Sequence, residues 1–208
     1  MHTSPSAPFS ELAAASPRLA RITIYPIKSL DGVAVETANV LPCGGLALDR
    51  CWALAAADGT LLNGKDTPRL HTIRAAFDLS SLTVELRAQI GQPARFHLQT
   101  EATQLGSWFS AELGFETRLV EDLETGFPDD RDLPGPTVVS TASLRRVAAW
   151  FPGLALDDVR PRFRANLEID PAPPFWEDAL VAAQGEVPFA IGQTRWLGAT
   201  PCQRCPVP

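Results

Sequence analysis

The sequence lacks a block of basic residues, since 18 Lys and Arg stand against 24 Asp and Glu, for a net charge of −6. A mildly acidic chain of this kind is a poor candidate for binding duplex nucleic acid. No stretch approaches the roughly 20 consecutive apolar residues that span a bilayer. The start of the chain also lacks the early Lys or Arg and the continuous apolar core of a secretory signal. We therefore expect neither a nucleic acid nor a membrane as a partner.

Cysteine is scarce, with four residues in a chain of 208. This number does not make a disulfide scaffold, so a reducing, cytoplasmic location is expected. The hydrophobic fraction of 45% is too high for a chain that is disordered throughout. Residues 1–19 are predicted to be a disordered lead-in, and the remaining length suits one large domain or two small ones.

Short extended runs separated by Gly and Asp turns dominate the first half of the sequence. The predicted strands are residues 21–27, 33–40, 50–55, 72–77, 82–86 and 94–98. Strands at a spacing of roughly 8–12 residues are typical of a β-barrel or a β-sandwich.

Helices are predicted later in the chain. One covers residues 105–113 and is ended by Gly114. A second follows a cap at Ser140 or Ser143 and has one apolar stripe. That stripe consists of Leu144, Val147, Ala148 and Phe151.

The rest of the second half is predicted to be extended or irregular. Residues 122–136 form a loop or an inter-domain connection. Further strands are predicted at residues 137–139, 163–169, 187–191 and 194–197. The predicted fold class is therefore mainly β with a few helices (α+β).

Cys202 and Cys205 form a Cys-Gln-Arg-Cys pair. Such a pair can be half of a zinc site, a redox dithiol, or one reactive thiolate beside a second cysteine. The seven-residue gap between Cys43 and Cys51 is not a zinc-knuckle spacing, which disfavours zinc. Arg204 favours the thiolate form of Cys205, a soft ligand or nucleophile. The alternative is two small buried hydrophobic residues.

Arginines recur at every second position in residues 160–166. In a strand, Arg160, Arg162, Arg164 and Asn166 would share one face. Guanidinium groups bind phosphate or carboxylate through two parallel hydrogen bonds, so this face would suit an anion. The alternative is a solvated sheet face whose partners are the nearby acidic residues.

Five short motifs, taken in order, resemble a known family. They are Tyr-Pro-Ile-Lys-Ser at 25–29, Gly-Leu-Ala-Leu-Asp-Arg at 45–50, residues 139–144, Arg-Phe-Arg-Ala-Asn at 162–166 and the cysteine pair at 202–205. The sequence resembles MOSC proteins (molybdenum cofactor sulfurase C-terminal domain) preceded by a MOSC N-terminal β-barrel. The branch with the greatest resemblance contains the mitochondrial amidoxime-reducing component and its bacterial relatives.

The resemblance covers about residues 20–205 and implies two domains. Residues 20–121 would form the MOSC N-terminal β-barrel domain, and residues 122–208 the MOSC domain. Family members continue beyond the cysteine with strands that complete the second barrel, so we expect an incomplete MOSC barrel here. The loop at 131–135 also lacks the hydroxyl residues that relatives carry near the cofactor.

The resemblance further implies a molybdenum cofactor. Cys205 matches the cysteine that ligates the metal and is the implied catalytic residue. Cys202 matches an accessory cysteine. The residues that match cofactor-binding positions are Lys28, Ser29, Arg50, Arg164, Asn166 and Arg204. A phosphate-bearing pterin needs a cationic cradle and molybdenum needs a soft thiolate, so these residue types suit that group.

The implied reaction is the reduction of N-hydroxylated small molecules. Electrons would come from a separate heme or flavin protein, since no further cysteine cluster indicates an iron–sulfur centre in this chain. Similar domains are often described as binding pyridoxal phosphate. We do not expect this cofactor here, because neither Lys28 nor Lys65 lies in a sequence context typical of a pyridoxal phosphate lysine. The alternatives are a cofactor-binding or sulfur-carrier module with a Cys205 persulfide, or an inactive truncated fragment.

Overall fold

The computed structural model describes residues 16–202. These residues form eleven strands and three α-helices, which confirms the predicted α+β class. The strands are β1 Arg18–Ile24, β2 Val33–Val35, β3 Trp52–Ala56, β4 Arg74–Asp78, β5 Thr83–Arg87, β6 Ala94–His97, β7 Thr117–Glu121, β8 Val138–Ser140, β9 Leu167–Asp170, β10 Val187–Ile191 and β11 Thr194–Gly198. The helices are α1 Ala102–Leu113, α2 Thr141–Ala148 and α3 Leu156–Phe163, with short 3₁₀ turns at Pro68–Thr72 and Trp176–Leu180. β1 begins inside the predicted lead-in, most of which lies outside the described residues.

The strands form four small sheets, in the orders β2-β1-β9-β8, β4-β5-β6, β3-β7 and β10-β11. All the pairs are antiparallel except β8 with β9. Within the part of the chain that the structure describes, none of these sheets closes into a barrel. Strand β1 pairs with β2 on one side and with β9 on the other, so one sheet unites residues 18–35 with residues 138–170.

The larger core lies between α1 and the sheets β3-β7 and β4-β5-β6. Helix α1 turns Leu105, Phe109 and Leu113 inward at a helical spacing, and Trp52 of β3 is fully buried beside them. The helix ends at Gly114, whose φ of 85° is the left-handed conformation that a glycine adopts without strain. The end of this helix was predicted correctly, but the helix begins three residues earlier than predicted, at Ala102. Strand β7, which follows the helix, was not predicted.

Helix α2 begins where the sequence indicated. The Ser140 hydroxyl accepts a hydrogen bond from the Ser143 amide at 3.1 Å, which is a standard N-cap. The helix ends at Ala148, so Phe151 lies beyond it and is 54% exposed instead of completing the apolar stripe. The prediction of this helix was right at its start and one turn too long at its end.

The predicted strand over residues 163–169 is wrong in its first part. Residues Leu156–Phe163 form α3, and the extended chain resumes only at Leu167. Asp158 lies in the first turn of α3, and its carboxylate accepts from the Ala155 amide at 2.8 Å. Arg160 and Arg162 are therefore helical, and the predicted strand face with three arginines does not exist.

Glu168 of β9 ties α2 and α3 to the sheet. Its carboxylate accepts from Arg160 Nε at 2.8 Å and from the Thr141 hydroxyl at 2.8 Å. The Glu168 side chain is only 7% exposed. Burial raises the pKa of Glu168, but hydrogen bonds from Arg160 and Thr141 and the charges of Arg160 and Arg21 outweigh this effect, so the net pKa is lowered from its ordinary 4.5.

We expect Glu168→Gln to lower the free energy of unfolding at neutral pH by about 1–3 kcal/mol, because a buried ion pair loses one partner. A carboxyl with a lowered folded-state pKa stabilises the protein above its unfolded value of 4.5. That stability is lost as the pH falls from there through the folded-state pKa. Urea unfolding as a function of pH should therefore show a flatter acid limb in the variant.

The control for this experiment is Glu85→Gln, which removes a pair with Arg87 whose guanidinium side chain is 65% exposed. We expect a cost below about 1 kcal/mol for the control, as for exposed ion pairs in general. Equal effects of the two substitutions would contradict the structural importance of Glu168.

Candidate functional site

Two arginines from distant parts of the chain meet over one aromatic ring. The Arg164 guanidinium lies 4.2 Å from the centroid of Tyr25, and that of Arg50 lies 5.6 Å from it. Tyr25 directly follows β1 and is 3% exposed, so its ring is held firmly in the interior. Cations over an aromatic face are attracted by the ring quadrupole. This ring therefore places the two charges of Arg50 and Arg164 near each other.

Both arginines have a left-handed backbone, with φ of 52° at each residue. Arg164 ends α3, where its amide donates to the Arg160 carbonyl at 3.1 Å. The Arg50 amide donates to the Tyr25 carbonyl at 2.7 Å. A non-glycine residue in this conformation costs of order 1–3 kcal/mol and is found most often at functional sites. The surrounding hydrogen bonds hold both arginines in place despite that cost.

Lys28 supplies a third cation to this region. Its ammonium donates to the Phe127 carbonyl at 3.0 Å and to Asp129 Oδ1 at 2.5 Å. The Lys28 side chain is 13% exposed, whereas that of Asp129 is 83% exposed. Lys28 therefore directs a largely buried side chain toward a carboxylate at the surface.

Asp129 connects the three cations electrostatically. Partial desolvation raises the pKa of Asp129, but the hydrogen bond from Lys28 and the charges of Lys28, Arg50 and Arg164 lower it, and the net shift is downward. Desolvation is the largest single effect on this pKa, but the hydrogen bond and the three cations together outweigh it and determine the sign of the shift. We refer to Lys28, Arg50 and Arg164 as the cationic cluster.

Asp49 and Asn166 form the support behind the cationic cluster. Asp49 Oδ1 accepts from the Tyr25 amide at 2.8 Å and from Asn166 Nδ2 at 3.0 Å, while the other carboxylate oxygen pairs with Arg50. Asn166 is 1% exposed, and its amide also donates to the Thr23 carbonyl at 3.1 Å. The carbonyl oxygen of the Asn166 side chain accepts from the Thr137 amide at 3.2 Å. Asn166 therefore contacts protein groups on every side and acts as a positioning residue.

Ser29 has a structural contact beside the cluster. Its hydroxyl accepts from the Gly64 amide at 3.1 Å, and its φ of 69° makes it a turn residue. The structure thus brings together four of the residues singled out in the sequence, Lys28, Arg50, Arg164 and Asn166, with Ser29 next to Lys28 in the chain.

Arg204 and Cys205 lie outside the described residues, so their assignments stay predictions. Of the described cysteines, Cys202 is exposed and Cys51 is buried. Burial raises the pKa of Cys51 to about 11, which keeps it a thiol and makes it a poor nucleophile. Within residues 16–202, no three His, Cys, Asp or Glu side chains group closely enough to hold a metal ion.

Sequence reasoning did not assign three residues of this region: Tyr25, Asp49 and Asp129. Tyr25 and Asp49 stand inside the motifs at 25–29 and 45–50, so the motifs themselves carried a signal for them. Asp129 belongs to an Asp-, Gly- and Pro-rich segment whose acidic residues look alike in the sequence. Only the fold distinguishes it from its neighbours.

A cavity of about 330 Å³ is bordered by Tyr25, whereas Lys28, Arg50 and Arg164 do not line it. Its wall also includes the Arg160–Glu168 ion pair and the apolar side chains of Phe163 and Leu144. Clefts that combine apolar walls with a few polar groups are typical small-molecule sites. The cationic cluster can therefore bind an anion, and the cavity on the other elements around Tyr25 can accommodate a small molecule with apolar groups.

Comparison with known proteins identifies the family of this chain. Residues 16–126, more than half of the chain, match the MOSC N-terminal beta barrel domain. The protein therefore belongs to the MOSC N-terminal beta barrel family, as the motifs had suggested.

Curated relatives share one name. A molybdenum cofactor sulfurase of Drosophila mojavensis is 27% identical over 91% of this chain, and one of Oryza sativa subsp. japonica is 29% identical over 53% of it. The chain spans 27% of the former protein and 16% of the latter. A solution structure of a Bordetella bronchiseptica protein covers 43% of this chain and 93% of its own, at a TM-score of 0.31 and 16% identity. None of the helices described in residues 16–202 is long and apolar enough to cross a membrane.

The support role of Asn166 makes a prediction about stability. Asn166→Ala removes the side-chain hydrogen bonds that this buried residue makes with the Asp49 carboxylate, the Thr23 carbonyl and the Thr137 amide. We expect the free energy of unfolding to fall by about 2–4 kcal/mol, measured by urea denaturation. The matched control is Asn39→Ala, at an exposed position, for which we expect a change within about 0.5 kcal/mol. If Asn166→Ala changed the free energy of unfolding as little as Asn39→Ala, Asn166 would not be needed to hold the site together.

Proposed function

We propose that this protein binds the molybdenum cofactor and is an oxidoreductase that reduces N-hydroxylated small molecules. A separate heme or flavin protein would supply the electrons. The observation that carries the proposal is the convergence of Lys28, Arg50 and Arg164. The first two come from motifs near the start of the sequence, and Arg164 comes from the motif at 162–166. The family membership and the names of the curated relatives support it.

The residues present fit the anionic part of such a cofactor. Arg50 and Lys28 have side chains that are only 15% and 13% exposed, so their charges are partly desolvated. Partly desolvated guanidinium and ammonium groups bind phosphate more strongly than fully hydrated ones. Lys28, Arg50 and Arg164 would hold the phosphate, and Cys205 would ligate the metal. Asn166 would act indirectly, by holding Asp49 and Tyr25 beneath the arginines.

When bound, the cofactor supplies the two-electron chemistry of the reaction. Reduction of an N-hydroxy group takes up two electrons and two protons, breaks the N–O bond and releases water. The chain itself binds and orients the reactants. The buried Tyr25 ring forms an apolar floor that keeps water away from one side of the cationic cluster, which strengthens its hold on an anion.

A second candidate function is favoured by the name that the curated relatives share, molybdenum cofactor sulfurase. In this alternative, the protein is a cofactor-binding module that carries sulfur. A donor persulfide would pass its outer sulfur to the Cys205 thiolate, and the donor would leave as a thiolate. The same cationic cluster would hold the cofactor in both functions.

The metal content of cysteine variants tests the proposal. Protein purified from cells that make the cofactor should contain about one molybdenum per chain by elemental analysis, because Cys205 supplies a soft thiolate ligand. Cys205→Ser should lower this content at least about tenfold, whereas Cys202→Ser, the matched control, should leave it unchanged. Equal losses in both variants, or no molybdenum in any sample, would contradict the assigned ligand.

Substrate turnover and intact mass separate the two candidates. An oxidoreductase should reduce an amidoxime in the presence of an artificial electron donor, and Cys205→Ser should abolish that activity. A sulfur carrier should instead show a mass increase of one sulfur atom on Cys205 that is removed by a reducing thiol.

The cationic cluster makes an independent prediction. Arg164→Gln should reduce the molybdenum content of the purified protein by about tenfold, because one of three phosphate-binding charges is lost. The control is Arg146→Gln, on the exposed surface of α2. An undiminished molybdenum content in Arg164→Gln would show that the cofactor binds elsewhere.

A further inference from the structure

We propose that Asp129 is an internal anion that occupies the cationic cluster and that a phosphate-bearing ligand must displace. This inference rests on the proposed function, since it assumes that the cluster is the phosphate site. It adds a residue that sets the affinity of that site and its preference for multiply charged anions.

The geometry places a carboxylate where a ligand oxygen would be expected. Asp129 Oδ1 lies 2.5 Å from the Lys28 ammonium, whose other acceptor is the Phe127 carbonyl. The charges of Arg50 and Arg164 also act on Asp129 and, with the hydrogen bond and charge of Lys28, lower its pKa. One carboxylate therefore partly neutralises three cations.

The Asp129 carboxylate can be displaced more easily than the Asp49 carboxylate. The Asp129 side chain is 83% exposed and lies in the segment between β7 and β8, where no helix or strand is described. Within residues 16–202, the Asp129 carboxylate accepts a side-chain hydrogen bond from Lys28. Asp49, by contrast, is 10% exposed and is held by the Tyr25 amide, Asn166 and Arg50. Asp49 is thus a fixed part of the site, and Asp129 is a replaceable one.

Charge arithmetic gives the expected selectivity. A monoanion that replaces Asp129 leaves the total charge of the cluster unchanged, so it gains little Coulomb energy. A phosphate or pyrophosphate group brings at least one more negative charge to the same three cations and accepts more hydrogen bonds. Displacement of Asp129 therefore favours phosphate-bearing ligands over singly charged anions such as chloride or acetate.

The test uses inorganic pyrophosphate as the probe and the full chain, purified from cells that do not make the molybdenum cofactor. Isothermal titration is carried out on the unsubstituted protein, on Asp129→Asn and on Asp130→Asn. Asp130 is the matched control, because its side chain accepts from the Asp132 and Leu133 amides and an asparagine can do the same. Both substitutions remove one negative charge from the same segment. Thermal unfolding of each variant verifies that it folds.

We expect Asp129→Asn to bind pyrophosphate about tenfold more tightly than the unsubstituted protein, with Asp130→Asn within about twofold of it. Binding by the unsubstituted protein with equal or weaker binding by Asp129→Asn would overturn the displacement and leave the cationic cluster intact as a phosphate site. An equal gain in pyrophosphate affinity in both variants would show that only the net charge of the segment matters, and it would also overturn the displacement of Asp129. Absence of binding in all three proteins would overturn the phosphate site itself, and with it the proposed function.

Discussion

The hydrogen bond between Asn166 and Asp49 is the interaction on which the candidate site depends. It joins residues 117 positions apart in the sequence, at 3.0 Å, in a nearly dry environment. The Asp49 carboxylate then fixes the Tyr25 amide and pairs with Arg50, and the Tyr25 ring lies beneath both arginines. A buried amide of this kind is stable only when each of its polar atoms has a partner, and here each one does. The position of the two arginines of the cationic cluster therefore depends on one satisfied polar junction.

Carboxylates partly compensate the charges of the cationic cluster. Asp49 balances Arg50 from inside, and Asp129 balances Lys28 from the solvent side. The first carboxylate is held by backbone and amide donors, whereas the second lies on an irregular exposed segment. Asp49 is therefore a fixed part of the site, whereas Asp129 is the anion that the proposed ligand would displace. Under the displacement that we propose, this difference between the two carboxylates has a functional consequence.

The sequence predicted the local structure well where the signal is local. Gly114 ended α1 as expected, because only a residue that tolerates a left-handed backbone ends a helix in this way. Ser140 capped α2 for a similarly local reason. The strand predicted in place of the end of α3 was wrong for a physical reason. Arginines at every second position are typical of a strand, but Leu156, Val159 and Phe163 have the spacing of one helix face, and this apolar face packs against the protein.

The motifs of the candidate site were recognisable in the sequence, but their contacts were not. Nothing in residues 25–29 or 162–166 alone indicates that they meet, because the pairing of β1 with β9 joins strands that are far apart in the chain. The sequence does not distinguish Asp129 from the acidic residues around it, because Asp129 differs from them only in its contact with the Lys28 ammonium group. Long-range pairing and the choice among equivalent side chains are set by the tertiary structure.

The central claim is that a phosphate-bearing cofactor binds between Lys28, Arg50 and Arg164. A crystal structure of the protein purified from cells that make the molybdenum cofactor, in a preparation shown to contain molybdenum, tests this most directly. The account predicts phosphate oxygens in hydrogen-bond contact with all three side chains and Asp129 moved away from Lys28. A cofactor bound elsewhere, with the Lys28–Asp129 pair intact, would contradict it.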